Sequence, residues 1–302
     1  MTIKKIEKKS ESVEAAVEKK SMSVAKNAAE LGSNLRKTDS EKITVIYGNL
    51  VLKKNTTFEN SIRVEGDIVG KDGMRYDLKV KGNIFASGLI IVNGINAWNI
   101  YAQFIRARNI KARDVIYGLE DINARNITTP GYICTSYLNA LNITAGKISS
   151  KFIYVRRDLN VFGNIRAVKD IKARNITVSG DIKAYELEAD NVNVRGDIDT
   201  YYIKVEGNVS AQNIHVQECI SVKNLNAQEN IYVGDSITVQ NFNTRGNITV
   251  RGWIDAQHIN VRGNINTPFI ICESLIRSKE KKFVCKNLME KRSTHEIKEV
   301  KR

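Results

Sequence analysis

Aliphatic residues recur along this chain at steps of five and six, too long for a helical turn and too regular to arise by chance. The stretch GNITVRGWIDAQHINVRGNI, Gly246–Ile265, begins and ends on Gly-Asn-Ile and carries Ile254 and Ile259 between. Marked over the chain, these anchors form three interleaved rows. The first runs from Ile68 and Ile84 through Ile165 and Ile198 to Ile265, thirteen positions in all. The second runs from Ile105 to Ile270 and the third from Ile110 to Leu275, and steps within each row are 15 to 18 residues. A repeat of this kind is looked for first because it decides the architecture.

Most anchors are followed two places later by Ala, Val or Thr, as in Ile176/Val178, Leu187/Ala189 and Ile254/Ala256. Residues two apart share a face of an extended strand. Each unit is therefore a short strand with two inward side chains, followed by a corner of two or three residues. Three strands per 16–17 residues describe one coil of an all-β, triangular parallel β-helix. Its hand is expected to be right, as in parallel crossovers. About 13 coils at roughly 4.8 Å give a rod on the order of 60 Å long. Gly-Asn and Gly-Asp pairs such as Gly163-Asn164, Gly180-Asp181 and Gly263-Asn264 mark corners. Positive φ, which both residue types tolerate, is the expected reason.

The pattern divides the 302 residues into a charged N-terminal segment 1–42, a solenoid 43–276 and a basic C-terminal segment 277–302. Residues 3–37 place Val13, Val17, Val24, Ala28 and Leu31 at helical steps, which predicts a helix over the first coil. Phe283–Lys291 is expected as a short C-terminal cap. Net charge is +14, but only +5 of it falls on 43–276. Basic tails of this kind meet water, anionic lipid or an anionic polymer, and are no signature of specific nucleic-acid binding. Four cysteines without CxxC spacing suit a reducing cytoplasm. No apolar run approaches a membrane span, so the expected place is cytoplasmic, at most peripheral to a membrane.

Residues beside the anchors point outward and are the candidate contact residues. Flanking the third row stand Asn175, Thr177, Asn191, Asn193, Asn208, Asn224, Asn226, Asn241, Asn243 and Asn260. Stacked amides bonded from coil to coil explain them without a partner; a neutral lateral contact face is the alternative. Preceding the second row stand Phe104, Tyr137, Phe152, Tyr202, Trp253 and Phe269, either an aromatic interaction column or half-buried corner residues. Lys172, Glu188 and Lys204 are expected to stack as an alternating charge column. Asp181, Asp197 and Asp199 lie in adjacent coils and fit corner roles better than a catalytic cluster. The three histidines, His215, His258 and His295, lack a cleft and a partner, and no phosphate-binding loop occurs. The sequence thus points to no enzyme, no cofactor, no metal and no small-molecule substrate.

The units IRVEGDIVG (Ile62–Gly70), LKVKGNIFASGLIIVNG (Leu78–Gly94) and VNVRGDI (Val192–Ile198) resemble those of bactofilins. That resemblance covers roughly residues 46–275 and implies a triangular right-handed β-helix, nucleotide-free polymerisation and flexible flanking tails. This chain has about twice the usual number of coils, less Gly and more Asn. Left-handed hexapeptide acyltransferases are a similar style, but they keep strict six-residue steps and a protruding loop with a catalytic His. The expected function is a self-assembling scaffold or filament. The alternatives are a monomeric adhesin-like module gripping a glycan or other repetitive polymer and, third, a carbohydrate-active β-helix enzyme.

Overall fold

The computed structural model describes residues 43–278, 281–290 and 299–300. The helix expected over 3–37, the rest of segment 1–42 and most of the chain after Glu290 lie outside the described residues. The described chain is nearly all β, 75% strand without an α-helix, and its parallel strands stack as a solenoid of about fourteen turns.

Three ladders of parallel strands make three faces. On the first, Ile182, Ile198, Ile214, Ile231, Ile248 and Ile265 stand opposite one another in successive coils. The second stacks Ile171, Leu187, Ile203, Ile220, Ile237, Ile254 and Ile270. The third stacks Leu159, Ile176, Val192, Val209, Leu225, Phe242, Ile259 and Leu275. These anchors and the small residues two places on form one continuous buried core. Branched aliphatics suit a parallel sheet whose inner side never meets water. Burying each such side chain contributes about 1.5–3 kcal/mol.

The expected first row is misregistered at its start. Ile84 stands opposite Ile62, not Ile68, while Ile68 belongs to the second ladder between Leu50 and Ile90. The cause is an insertion after Gly70, where Lys71–Gly73 forms a 3-10 turn with Asp72 at φ 53° and Gly73 at φ 73°. This loop lengthens one coil, and the sixteen-residue spacing of Ile68 and Ile84 imitates the repeat without belonging to it. The ladder also runs past residue 276. Phe283–Glu290, expected as a cap, pairs with Ile265–Cys272 and places Phe283 over Ile265 and Leu288 over Ile270.

The corners are built differently from expectation. Apart from Gly48 and Gly73, no described glycine has positive φ. Glycine is required by proximity between coils: a Cβ on Gly263 would stand 2.1 Å from the Gly246 carbonyl oxygen. The neighbouring Asn or Asp solves a second problem. The chain leaves the ladder at the corner, and its N–H there needs an acceptor. The Asn247 backbone N–H donates to Asn230 Oδ1 at 3.1 Å, Asn264 N–H to Asn247 Oδ1 at 2.9 Å and Lys282 N–H to Asn264 Oδ1 at 2.9 Å. The Asp197 and Asn213 backbone N–H groups donate in the same way to Oδ1 of Asp181 and of Asp197. The backbone bond needs only an oxygen, so Asp and Asn both serve; an Asn can also donate through Nδ2 to the preceding Oδ1, as Asn213 does to Asp197 at 2.9 Å and Asn247 to Asn230 at 3.0 Å.

Buried hydroxyls face the core at a few coils and donate to carbonyls of the preceding coil, as Thr135 does to Glu120 and Thr244 to Glu229, both at 2.7 Å. Thr200 is the exception among the described residues: its Oγ1 is buried without a hydrogen-bond partner. Ala184 and Val216 hold the same position in the flanking coils. Thr200→Val is therefore expected to stabilise the rod by about 1 kcal/mol, and Thr244→Val to destabilise it by about 1–2 kcal/mol. Thermal midpoints of the two variants, moving in opposite directions from the parent, check this.

Candidate functional site

The third face separates the ten candidate Asn and Thr residues into two columns of different kind. Those preceding the anchors form an amide ladder. Asn191 Nδ2 donates to Asn175 Oδ1 at 3.3 Å, Asn208 to Asn191 at 3.2 Å, Asn224 to Asn208 at 2.6 Å and Asn241 to Asn224 at 2.7 Å. The ladder begins earlier in the chain, with Asn126 donating to Asn109 and Asn142 to Asn126. Every bond runs towards the preceding coil. Each member must donate and accept, so this column is almost pure Asn, unlike the corners. It breaks where Asp158 stands, because a carboxylate has no N–H for Asn142; Asp158 only accepts, from Asn175 at 2.9 Å.

Thr177, Asn193, Asn226, Asn243 and Asn260 follow the anchors and are exposed. They stand in register across coils. Among the described residues none of these five side chains is hydrogen-bonded to a neighbouring coil. One column is thus committed to holding coils together, while the other keeps its donors and acceptors for water or a partner.

The six candidate aromatics share the second face but form no unbroken column. Tyr137 and Phe152 stack at 5.0 Å, and Trp253 stands opposite Phe269. Asp121 interrupts the series after Phe104, Asp170 and Glu186 before Tyr202, and Cys219 and Ser236 after it. Phe104, Phe152, Tyr202 and Phe269 are half-buried; Tyr137 and Trp253 are exposed. A more regular series lies on the first face, in the residues just after the anchors. Phe85 and Tyr101 stack at 5.1 Å and 6°, Tyr117 continues at 6.3 Å from Tyr101, and the Arg63 guanidinium covers Phe85 at 5.8 Å. Burial raises the hydroxyl pKa of both Tyr101 and Tyr117. The signal for this series was in the sequence, but the false start at Ile68 hid Ile62 and with it Arg63. The ring faces are spent on each other along the rod, so the series strengthens stacking rather than offering a flat platform.

The titratable groups also serve the stack. Lys172, Glu188 and Lys204 stand in register as expected. Lys172 and Glu188 meet at 2.7 Å; that bond raises the lysine pKa and lowers the glutamate. Asp181 and Asp197 are corner acceptors. Asp199 pairs with Lys183 at 2.7 Å and with His215 at 3.3 Å, on the open wall. His258 Nδ1 lies 2.9 Å from Ser274 Oγ; His295 lies outside the described residues. Burial raises the Cys134 and Cys285 thiols, and no cysteine is in a disulfide. Among the described residues there is no group of three or more His, Cys, Asp and Glu able to hold a metal, and no helix long and apolar enough to cross a membrane.

No family model, curated protein or solved structure matches this chain. Its solenoid suits a repeat scaffold or a binding module, and the chemistry on its faces is hydrogen bonding and charge pairing between coils.

The direction of the amide ladder is open to test. In Asn224→Asp the new carboxylate still accepts from Asn241 but faces Asn208 Oδ1 without a proton. A loss of about 1 kcal/mol is expected at neutral pH. Folding then favours the protonated carboxyl, so its folded pKa exceeds the unfolded one and the loss shrinks as pH falls through the carboxylate range. Melting midpoints of variant and parent, compared between neutral and acidic pH, measure it.

Proposed function

We propose that this protein is a structural element, a β-helical rod that joins end to end with copies of itself into a scaffold or filament, as its resemblance to bactofilins implies. The observation that carries this reading is the state of the outermost described coils. Among the described residues Ile43–Tyr47 pairs on one side only, with Ser61–Glu65, and leaves a row of backbone donors and acceptors on its other edge. Ile43, Val45, Tyr47 and Val51 are exposed there, Tyr47 at 87%. At the opposite end Val284, Leu288 and Met289 are exposed on the last full strand. Such edges are templates for another strand, and natural proteins blunt them with charge or proline when association is unwanted. The two ends differ, so their junction is heterologous and propagates without closure. The role needs no bond-making chemistry.

A second reading, a monomeric module gripping a repetitive polymer, is favoured by the uncommitted column from Thr177 to Asn260. The two readings part on self-association.

Full-length protein is expected to form rods several molecules long by negative-stain electron microscopy and to sediment with a concentration-dependent distribution. Ile46→Lys and Leu288→Lys each place an ammonium at one end of the core and should each give monomers. An equimolar mixture of the two still holds one unblocked pair of ends and should give dimers and nothing larger. Monomers from the parent chain at all concentrations would remove end-to-end assembly and leave the binding module.

A further inference from the structure

Basic charge is concentrated in one stretch of the rod. Residues 104–174 hold thirteen Lys/Arg against five Asp/Glu, and residues 175–276 hold seven against twelve. At the border of the acidic-rich part, three basic groups meet carboxylates of the next coil: Lys172 with Glu188, Arg174 with Asp190 and Lys183 with Asp199. The corner between the second and third faces is different. Arg108, Arg125 and Arg157 are exposed, and among the described residues none of them has an ion-pair partner. Together they line a shallow groove of about 360 Å³ with Asn126, Leu141 and Asn142.

A local irregularity builds this groove. Val155 stands opposite Ala173 and Asp158 opposite Asn175, so Arg156 and Arg157 face the single residue Arg174. Such a bulge re-aims side chains. Here Arg157 joins Arg108 and Arg125 on one side, while Arg156 lines the adjoining groove with Lys172 and Arg174. Uncharged Leu141 occupies the intervening coil. The amide ladder is interrupted at this point, because Asp158 has no N–H to give to Asn142, and Asp158 itself makes no ion pair among the described residues. Like charges one or two coils apart, roughly 5–10 Å, lie within or near a Debye length of each other and repel. The arrangement costs stability unless an anion occupies it.

We propose that this groove binds a linear polyanion of the phosphate type, laid along the rod axis with its oxyanions on successive guanidinium groups. Each guanidinium offers a planar fork that grips two oxygens of a tetrahedral oxyanion, which a lysine ammonium does not. Asn126 and Asn142 each spend one amide hydrogen in the ladder, and the second hydrogen of each Nδ2 is a neutral donor beside the guanidinium groups. The geometry is axial and repetitive, so affinity grows with the number of linked oxyanions.

Inorganic tripolyphosphate, titrated calorimetrically into full-length protein at physiological ionic strength, tests this. Saturable binding is expected, with inorganic phosphate at least tenfold weaker. Arg125→Gln should weaken tripolyphosphate tenfold or more. Arg125→Lys, which keeps the charge and loses the fork, should weaken it several-fold. Arg245→Gln, on an exposed arginine outside the groove, should leave it unchanged. Equal losses from Arg125→Gln and Arg245→Gln would mean diffuse attraction to a basic protein and would overturn the site. Absence of binding, or inorganic phosphate binding as well as tripolyphosphate, would overturn the proposal too. Melting midpoints that do not fall below the parent's in any of the three variants show that the readout is binding and not folding.

Discussion

Parallel strands stacked in register bring every position of one coil within about 4.8 Å of the same position in the next, and the rest of this molecule follows from that constraint. Whatever residue stands at a position must tolerate a near copy of itself above and below. Aliphatics tolerate it inside, where Ile upon Ile excludes water along the whole bore. Amides tolerate it outside, because each can donate to the coil before it and accept from the coil after it. Like charges repel when stacked, and in the column of Lys172, Glu188 and Lys204 the sign alternates.

The same constraint explains which polar residue stands where. At the corners the required service is an acceptor for a stranded backbone N–H, and Asp181, Asp197, Asn213 and Asn230 all supply one. On the third face the service is relay, one bond given and one taken, and asparagine fills it. Glycine appears at corners because the backbone of one coil passes against the backbone of the next, leaving no room for a Cβ at Gly263. Two side chains depart from this economy. Thr200 buries an unbonded hydroxyl, and Asp158 interrupts the relay beside a bulge. The second departure lies beside the cluster of Arg108, Arg125 and Arg157, which ties an irregularity of backbone to a local concentration of charge.

A rod assembled this way is indifferent to its own length. Stability accrues between nearest neighbours, and nothing in the interior announces where stacking should stop. What varies along such a body is its two ends and the break in the pattern at Arg156-Arg157, while the outer column from Thr177 to Asn260 is left uncommitted between coils.

The three-sided solenoid, the inward anchors from Ile105 to Leu275 and the charge column of Lys172, Glu188 and Lys204 were legible in the sequence. Period is a local property, and a face that is buried in every coil must repeat in every coil. Register across the insertion after Gly70 was not legible, because Ile68 and Ile84 keep the right spacing by coincidence and only pairing distinguishes them. The role of the corner glycines was hidden likewise: positive φ and close approach select the same residue, and backbone geometry decides between them. Chemistry alone could not divide the ten Asn and Thr residues of the third face into bonded and free columns. Hydrogen-bond direction depends on where a side chain lies relative to the coil before it, and that relation exists only once the coils are stacked.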